Sequence, residues 1–183
     1  YSGYIAEGQA VYDFEAQFGQ YVQNTNVLAL NSGTAALHIA MLLLNIGPGD
    51  EIISTPMTAE PTNTTIALTG AKVVWSDVDP ETGLIDPDSV RQKITARTKA
   101  IIPVHYAGMV CDMARLNDVS LEYGIPLIED AAHALGSRFA GKPVGSNAAF
   151  TCYSFQAIKH LTTVDGGMIA LKDPALMAAA RKL

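Results

Sequence analysis

One lysine stands in an otherwise apolar stretch near the end of the sequence. The segment YSFQAIKHLTTVDGG covers residues 153–167 and places Lys159 five positions after Ser154. We expect Lys159 to be buried, and burial of a lysine lowers its pKa and makes the amine nucleophilic. Such amines form Schiff bases with aldehydes. Taken alone, such a segment more often contains a lysine that extends its charged end into solvent.

A second segment joins a strand directly to a helix. VLALNSGTAALHIA passes through Asn31, Ser32, Gly33 and Thr34 into a helical pattern. A helix N-terminus presents unpaired N–H groups and the positive end of its dipole, which suits a phosphate. Gly33 and Thr34 are the candidate contacts, because a glycine lets a ligand approach the backbone closely. Ser or Thr before a helix is also an ordinary N-cap.

A third segment, IPLIEDAAHALGS, places Asp130 directly after an apolar strand. A carboxylate at the edge of a buried sheet needs a partner, because an unpaired desolvated charge is costly. A protonated ring nitrogen is one possible partner, and a helix N-cap is the alternative role. His133 follows three residues later and could flank the same ligand, although a lone histidine is more often a packing residue.

The three segments together match the needs of pyridoxal 5'-phosphate (PLP). A helix N-terminus with Ser154 would hold the phosphate, Asp130 would face the pyridinium nitrogen, and Lys159 would meet the aldehyde. None of the segments contains the G-x-G-x-x-G or Walker pattern, which argues against a nicotinamide-dependent Rossmann enzyme and against nucleoside triphosphates.

Alternating strands and helices must position these residues, which predicts an α/β fold in three α/β/α layers with a mixed, mostly parallel sheet of about seven strands. In such sheets ligands bind at the carboxyl ends of the strands. The predicted strands cover 26–30, 51–54, 72–76, 100–104, 126–129, 150–154 and 168–172. The predicted helices lie near 34–46, 60–69, 87–95 and 112–123. Residues 1–25 are predicted to form an N-terminal arm with an amphipathic helix, and residues 26–183 the ligand-binding domain.

The composition excludes several classes of protein. Of 183 residues, 49% are hydrophobic and 16% charged, which is typical of a globular domain. The net charge is −6 and the 12 Lys and Arg residues are scattered, so neither nucleic acid nor an anionic membrane is an expected partner. Cys111 and Cys152 lack metal-ligand spacing and are expected to be small buried side chains, so no metal site is predicted.

The sequence shows no apolar run long enough for a bilayer and no signal peptide, so we expect a cytoplasmic protein. It begins without methionine and stops inside a helix-like segment. We therefore expect a piece of a longer protein.

The motifs NSGTAALH, IIPVHYAG, IEDAAHALGS and YSFQAIKHLTTVDGG resemble those of the DegT-like sugar-nucleotide aminotransferases, which are fold-type I PLP enzymes. The resemblance runs from about Ser2 to the end and implies a large domain without the C-terminal small domain. It implies that Lys159 is the Schiff-base lysine and proton shuttle, that Asp130 pairs with the pyridinium, and that His133 lies beside the ring or its 3-oxygen.

The resemblance also implies how the full-length enzyme works. Gly33, Thr34 and Ser154 would hold the phosphate. Glutamate would donate the amine, and a keto-sugar nucleotide would receive it, with the 4-keto group of a UDP-linked sugar as the expected target. The active form would be a homodimer. Relatives that deoxygenate sugars carry histidine in place of the lysine; Lys159 holds that position here, which favours transamination.

Two departures from the family pattern concern the site. Many relatives have an aromatic residue that stacks on the ring, where this chain has Ala59 and Glu60. The usual TTGEGG segment is TTVDGG, with Val164 and Asp165 as the changed residues. Two alternatives remain open: a regulatory protein that binds PLP or a sugar nucleotide without turnover, and a fragment with no activity of its own.

Overall fold

The computed structural model describes residues 7–183, so residues 1–6 of the predicted N-terminal arm lie outside the described residues. The helices are α1 (Gln9–Val22), α2 (Gly33–Leu43), α3 (Glu60–Leu68), α4 (Pro87–Lys93), α5 (Met113–Tyr123) and α6 (Met177–Ala180). The strands are β1 (Val27–Leu30), β2 (Glu51–Ser54), β3 (Lys72–Trp75), β4 (Thr98–Ile101), β5 (Ile128–Asp130), β6 (Arg138–Phe139), β7 (Lys142–Pro143), β8 (Phe150–Ser154) and β9 (Gly167–Leu171).

Helix starts follow the side chains that cap them. Ser32 caps α2 by accepting a hydrogen bond from the backbone N–H of Ala35 at 3.1 Å. Asp112 caps α5 in the same way, and Gly124 ends that helix with a left-handed φ of 66°. These short polar residues satisfy N–H groups that have no partner inside the helix. These capping residues therefore determine where α2 and α5 begin.

The main strands form a mixed sheet in two parts. One part has the order β1-β9-β8-β5 and the other the order β3-β2-β4. Strand β9 is antiparallel to both of its neighbours, and the other pairs in these two parts are parallel. The mixed, mostly parallel α/β fold is confirmed.

The expectation of one continuous sheet of about seven strands is wrong in detail. The strands form one part of four and another of three, and no regular ladder joins the two parts within the described residues. Isolated bridges at Ile101–Leu127 and Val104–Asp130 link β4 to β5. The N–H of Ile101 donates to Pro126 O, and the N–H of His105 donates to Asp130 O, which places position 103 between them. Pro103 has no N–H to donate, so the ladder is interrupted there.

Helices cover both faces of the sheet. Adjacent residues of β2 point to opposite faces: Ile52 packs in one core with Leu37 of α2, whereas Ile53 packs in another with Leu116 of α5. Such alternation is what a strand buried on both sides requires. The predicted three layers are therefore present.

Helix α1 packs on the edge of the sheet next to the site. The ring of Phe14 meets that of Phe155 edge-on with centroids 5.3 Å apart, and Phe18 contacts Tyr153 in the same way at 5.1 Å. Aromatic pairs in this geometry add to the stability gained by burial. The domain boundary at residue 25 stays a prediction.

Two further findings bear on the exclusions made from sequence. Cys111 and Cys152 are free and buried, which confirms them as small core residues. Within residues 7–183, no helix combines the length and the apolar character needed to cross a membrane.

Candidate active site

A cavity of about 350 Å³ opens where α2 and α3 begin and where β5 and β8 end. Its wall includes five of the six residues chosen from the sequence: Gly33, Thr34, Asp130, Ser154 and Lys159. These residues are up to 126 positions apart in the chain, from Gly33 to Lys159, and only the fold brings them to one place. The position agrees with the rule that ligands bind at the carboxyl ends of parallel strands.

The end of the cavity at the start of α2 is built from closely packed backbone. A Cβ added to Gly33 would lie 2.9 Å from Ser154 Cβ, and one added to Gly167 would lie 2.3 Å from the carbonyl carbon of Ser32. The turn at Ser32–Gly33 is thus held between the end of β8 and the start of β9. The sequence predicted that Gly33 lets a ligand approach the backbone. In the structure, the group that lies closest to Gly33 is Ser154, and contact of Gly33 with a ligand stays a prediction.

Hydrogen-bond donors line the same end of the cavity. Gly33 and Thr34 occupy the first turn of α2, where backbone N–H groups have no helical acceptor. The side chain of Thr34 is exposed and that of Ser154 is partly exposed, and both line the cavity. A helix N-terminus with two neighbouring hydroxyl groups suits a phosphate or another anion.

Asp130 lies at the floor of the cavity and is 4% exposed. Its Oδ1 accepts a hydrogen bond from Ala132 N at 3.0 Å, and its Oδ2 accepts one from Thr62 Oγ1 at 2.7 Å. A carboxylate has about four acceptor positions, so roughly two remain for a ligand. The alternative role as a helix N-cap does not apply, because a turn and not a helix follows β5.

Lys159 lies on a loop that leaves the sheet between β8 and β9. The loop is closed at its base, where Phe155 N donates to Gly166 O at 2.8 Å and Thr163 N donates to Phe155 O at 3.0 Å. We expected Lys159 to be buried, and this is wrong: its side chain is partly exposed and Ile158 beside it is 82% exposed. The tip of the loop projects past the strand ends, so the core covers Lys159 only in part.

His133 does not line the cavity but lies close to it. Its Nδ1 accepts a hydrogen bond from Ala107 N at 3.3 Å, and its ring meets Tyr106 edge-on at 5.5 Å. Partial burial, followed by the positive charge of Lys159, lowers the pKa of His133 below 6.5, against the opposing effect of Asp130. The histidine is therefore near both residues but is placed by Tyr106 and Ala107.

A match to a known family decides what this constellation is. The profile described as "DegT/DnrJ/EryC1/StrS aminotransferase family" matches residues 1–183. The chain belongs to this family.

Solved members have the same fold. Spr1654 from Streptococcus pneumoniae, named as a sugar aminotransferase, is 38% identical in its PLP form, with a TM-score of 0.89 over 94% of this chain and 48% of its own. The sugar aminotransferase CalS13 from Micromonospora echinospora is 37% identical, with a TM-score of 0.92 over 98% and 51%. DesV from S. venezuelae is 35% identical, with a TM-score of 0.96 over 100% and 49%.

This DegT-family chain spans about half the length of those solved relatives. Spr1654 was also crystallised in a PMP form. The residues of the cavity fit PLP by their chemistry: anion donors at the start of α2, a buried carboxylate with free acceptor positions, and a primary amine. The acceptor and the donors line one cavity wall together with Lys159.

Two further side chains that line this cavity were not among the candidate contacts from the sequence. Thr62 is 1% exposed, lines the cavity and donates to Asp130. Ser32 lines the same cavity and caps α2. The T-x-x-x-T spacing of Thr58 and Thr62 at a helix start was the available signal for the first. At the place of the expected aromatic residue, Ala59 lines the cavity with a single methyl group.

Proposed function

We propose that this chain is the PLP-binding part of an enzyme that moves an amine from glutamate to a keto-sugar nucleotide. The 4-keto group of a UDP-linked deoxysugar is the proposed acceptor. The observation that carries the proposal is the meeting of Gly33, Thr34, Asp130, Ser154 and Lys159 around one cavity in a DegT-family fold.

Each cavity residue would contact a different part of the cofactor. PLP, when bound, supplies an aldehyde carbon for amine exchange and a protonated ring that accepts electron density. Asp130 Oδ2 or Oδ1 would accept the ring N–H and keep the proton there. The first turn of α2 and the Ser154 hydroxyl would hold the phosphate and so orient the ring.

Lys159 would act through its Nζ atom. The amine would hold the cofactor covalently at rest and, once displaced by the amine of glutamate, would take up and return the proton that moves during transfer. Lys159 lines the cavity and is partly exposed, which is compatible with both roles. His133, with a pKa below 6.5, would be neutral near pH 7 and able to donate a hydrogen bond to the ring oxygen through one tautomer.

Exposed apolar side chains beside the site extend the proposal to assembly. Ile158 and Val164 on the lysine loop are 82% and 79% exposed, and Met57 near the cavity is 42% exposed. Exposed apolar side chains beside a site favour cover by another protein surface. We propose a second copy in a homodimer, with a small domain following residue 183 in the longer protein. A cytoplasmic location stays a prediction from the sequence.

The test is the first half of the reaction. Cofactor-loaded protein is mixed with glutamate, and 2-oxoglutarate is measured together with the absorbance of the bound cofactor. We expect one oxoglutarate per cofactor and a bleached absorbance, and neither change in Lys159→Gln. The control Lys142→Gln alters a lysine outside this cavity and should behave as the unchanged protein.

The outcomes separate the remaining alternatives. A cofactor that binds with no oxoglutarate formed would favour a regulatory protein without turnover. Failure of the short chain, with activity restored when the sequence is extended beyond residue 183, would favour an inactive fragment of the proposed enzyme. Size-exclusion mass on the same samples reports the dimer.

A further inference from the structure

Thr62 is a buried side chain that holds the carboxylate of Asp130 through a hydrogen bond. It is 1% exposed, and its Oγ1 lies 2.7 Å from Asp130 Oδ2. A second hydroxyl follows, because Thr58 Oγ1 lies 2.7 Å from Thr62 Oγ1. Three oxygen atoms therefore form a continuous chain that ends at Asp130.

The direction of the hydrogen bonds in this chain is fixed by chemistry. An ionised carboxylate only accepts, so Thr62 must give its one proton to Asp130. Thr62 then has no proton left for Thr58, and Thr58 must be the donor to Thr62. Each donor in such a series strengthens the next bond in the buried surroundings.

The chain also ties two parts of the site together. Thr58 belongs to the loop after β2, Thr62 to the first turn of α3, and Asp130 to the end of β5. The first turn of α3 carries the positive end of its dipole, which favours a carboxylate nearby. Asp130 Oδ1 is held separately by Ala132 N at 3.0 Å.

We propose that Thr62, oriented by Thr58, is a positioning residue that sets the plane of the Asp130 carboxylate for a ring N–H. This inference rests on the proposed function, since the ring is that of PLP. With Thr62 on Oδ2 and Ala132 on Oδ1, each oxygen keeps about one acceptor position for a ligand in the cavity that Asp130 lines. Loss of the hydroxyl leaves Oδ2 free to turn away and leaves Thr58 without its acceptor.

A matched control comes from the same helix. Thr65 is 0% exposed, and its Oγ1 donates to Thr62 O, a backbone atom, at 3.0 Å. Thr65→Val removes a buried hydroxyl of the same kind without touching Asp130. Thr65→Val should lower the unfolding temperature less than Thr62→Val, which breaks a hydrogen bond to a charged group and leaves Thr58 without its acceptor.

The experiment measures the dissociation constant of PLP and the absorbance spectrum of the bound cofactor for each variant of this chain. We expect Thr62→Val to bind PLP roughly tenfold more weakly, because a hydrogen bond to a charged group is lost. Its spectrum should shift, since the ring nitrogen is less well held. Thr65→Val should match the unchanged protein in both, and Thr62→Ser should restore both.

The results decide between this inference and the proposed function. Equal PLP affinity and spectrum in Thr62→Val and Thr65→Val would overturn the positioning role, as would a Thr62→Ser variant as weak as Thr62→Val. If Thr62→Val does not fold, Thr58→Val takes its place, with a smaller loss of affinity expected and no loss counting against the role. Unchanged protein that binds no PLP would instead refute the proposed function.

Discussion

Replacing Gly33 with alanine probes how the anion end of the cavity is built. The new Cβ would lie 2.9 Å from Ser154 Cβ, 3.2 Å from Ser154 Cα and 3.2 Å from Tyr153 O. These are backbone or near-backbone atoms of β8, so they cannot swing aside. Overpacking costs about 1–3 kcal/mol, and the gain in helix propensity returns at most about 1 kcal/mol. The expected net loss is roughly 1–2 kcal/mol of unfolding free energy.

Gly47→Ala is the matched control, because nothing lies within 4 Å of its added Cβ. We expect it to leave stability unchanged or raise it by about 0.4–1 kcal/mol. Thermal unfolding of both variants should show Gly33→Ala lower by roughly 2–4 °C per kcal/mol, and Gly33→Ala should bind PLP more weakly because Ser154 is displaced. Equal unfolding temperatures and equal PLP affinities in the two variants would refute this account of the packing.

Three other changes test neighbouring features. Gly167→Ala places a Cβ 2.3 Å from the Ser32 carbonyl carbon, so it should destabilise more than any other glycine change at the site, by calorimetry. Val164 has a left-handed φ of 74°, which costs a branched residue about 1–2 kcal/mol; Val164→Gly should raise the unfolding temperature, and a fall would contradict that strain. Lys159→Met removes a positive charge beside His133, so the pKa of His133 should rise toward 6.5 in an NMR titration of cofactor-free protein. An unchanged pKa would show that the charge of Lys159 does not act on His133.

The fold was largely predictable because its signals are local. The α1 and α5 helices carry apolar residues at helical spacing, and α5 has an aspartate before it and a glycine after it. The predicted strands at 51–54 and 150–154 match β2 and β8 to the residue. These elements depend on period and on caps, which a sequence displays directly.

What the sequence did not reveal depends on contacts between distant segments. The β6–β7 hairpin was missed because each of its strands has only two residues. Its turn also places Ala140 at a positive φ, which alanine rarely adopts, so the residue types do not indicate the turn. The burial of Lys159 was predicted wrongly because its sequence neighbours are apolar. In the structure, the loop that carries Lys159 leaves the core, so the side chain is partly exposed. Thr62 was overlooked because its bond to Asp130 joins residues 68 positions apart.

The central claim is that Lys159 is the amine that holds the cofactor. Borohydride reduction of PLP-loaded protein followed by peptide mapping tests it most directly, because reduction makes the link permanent. We predict a pyridoxyl label on Lys159, within the peptide that contains Ser154 and His160. A label on another lysine, or none on protein that has bound PLP, would contradict the account.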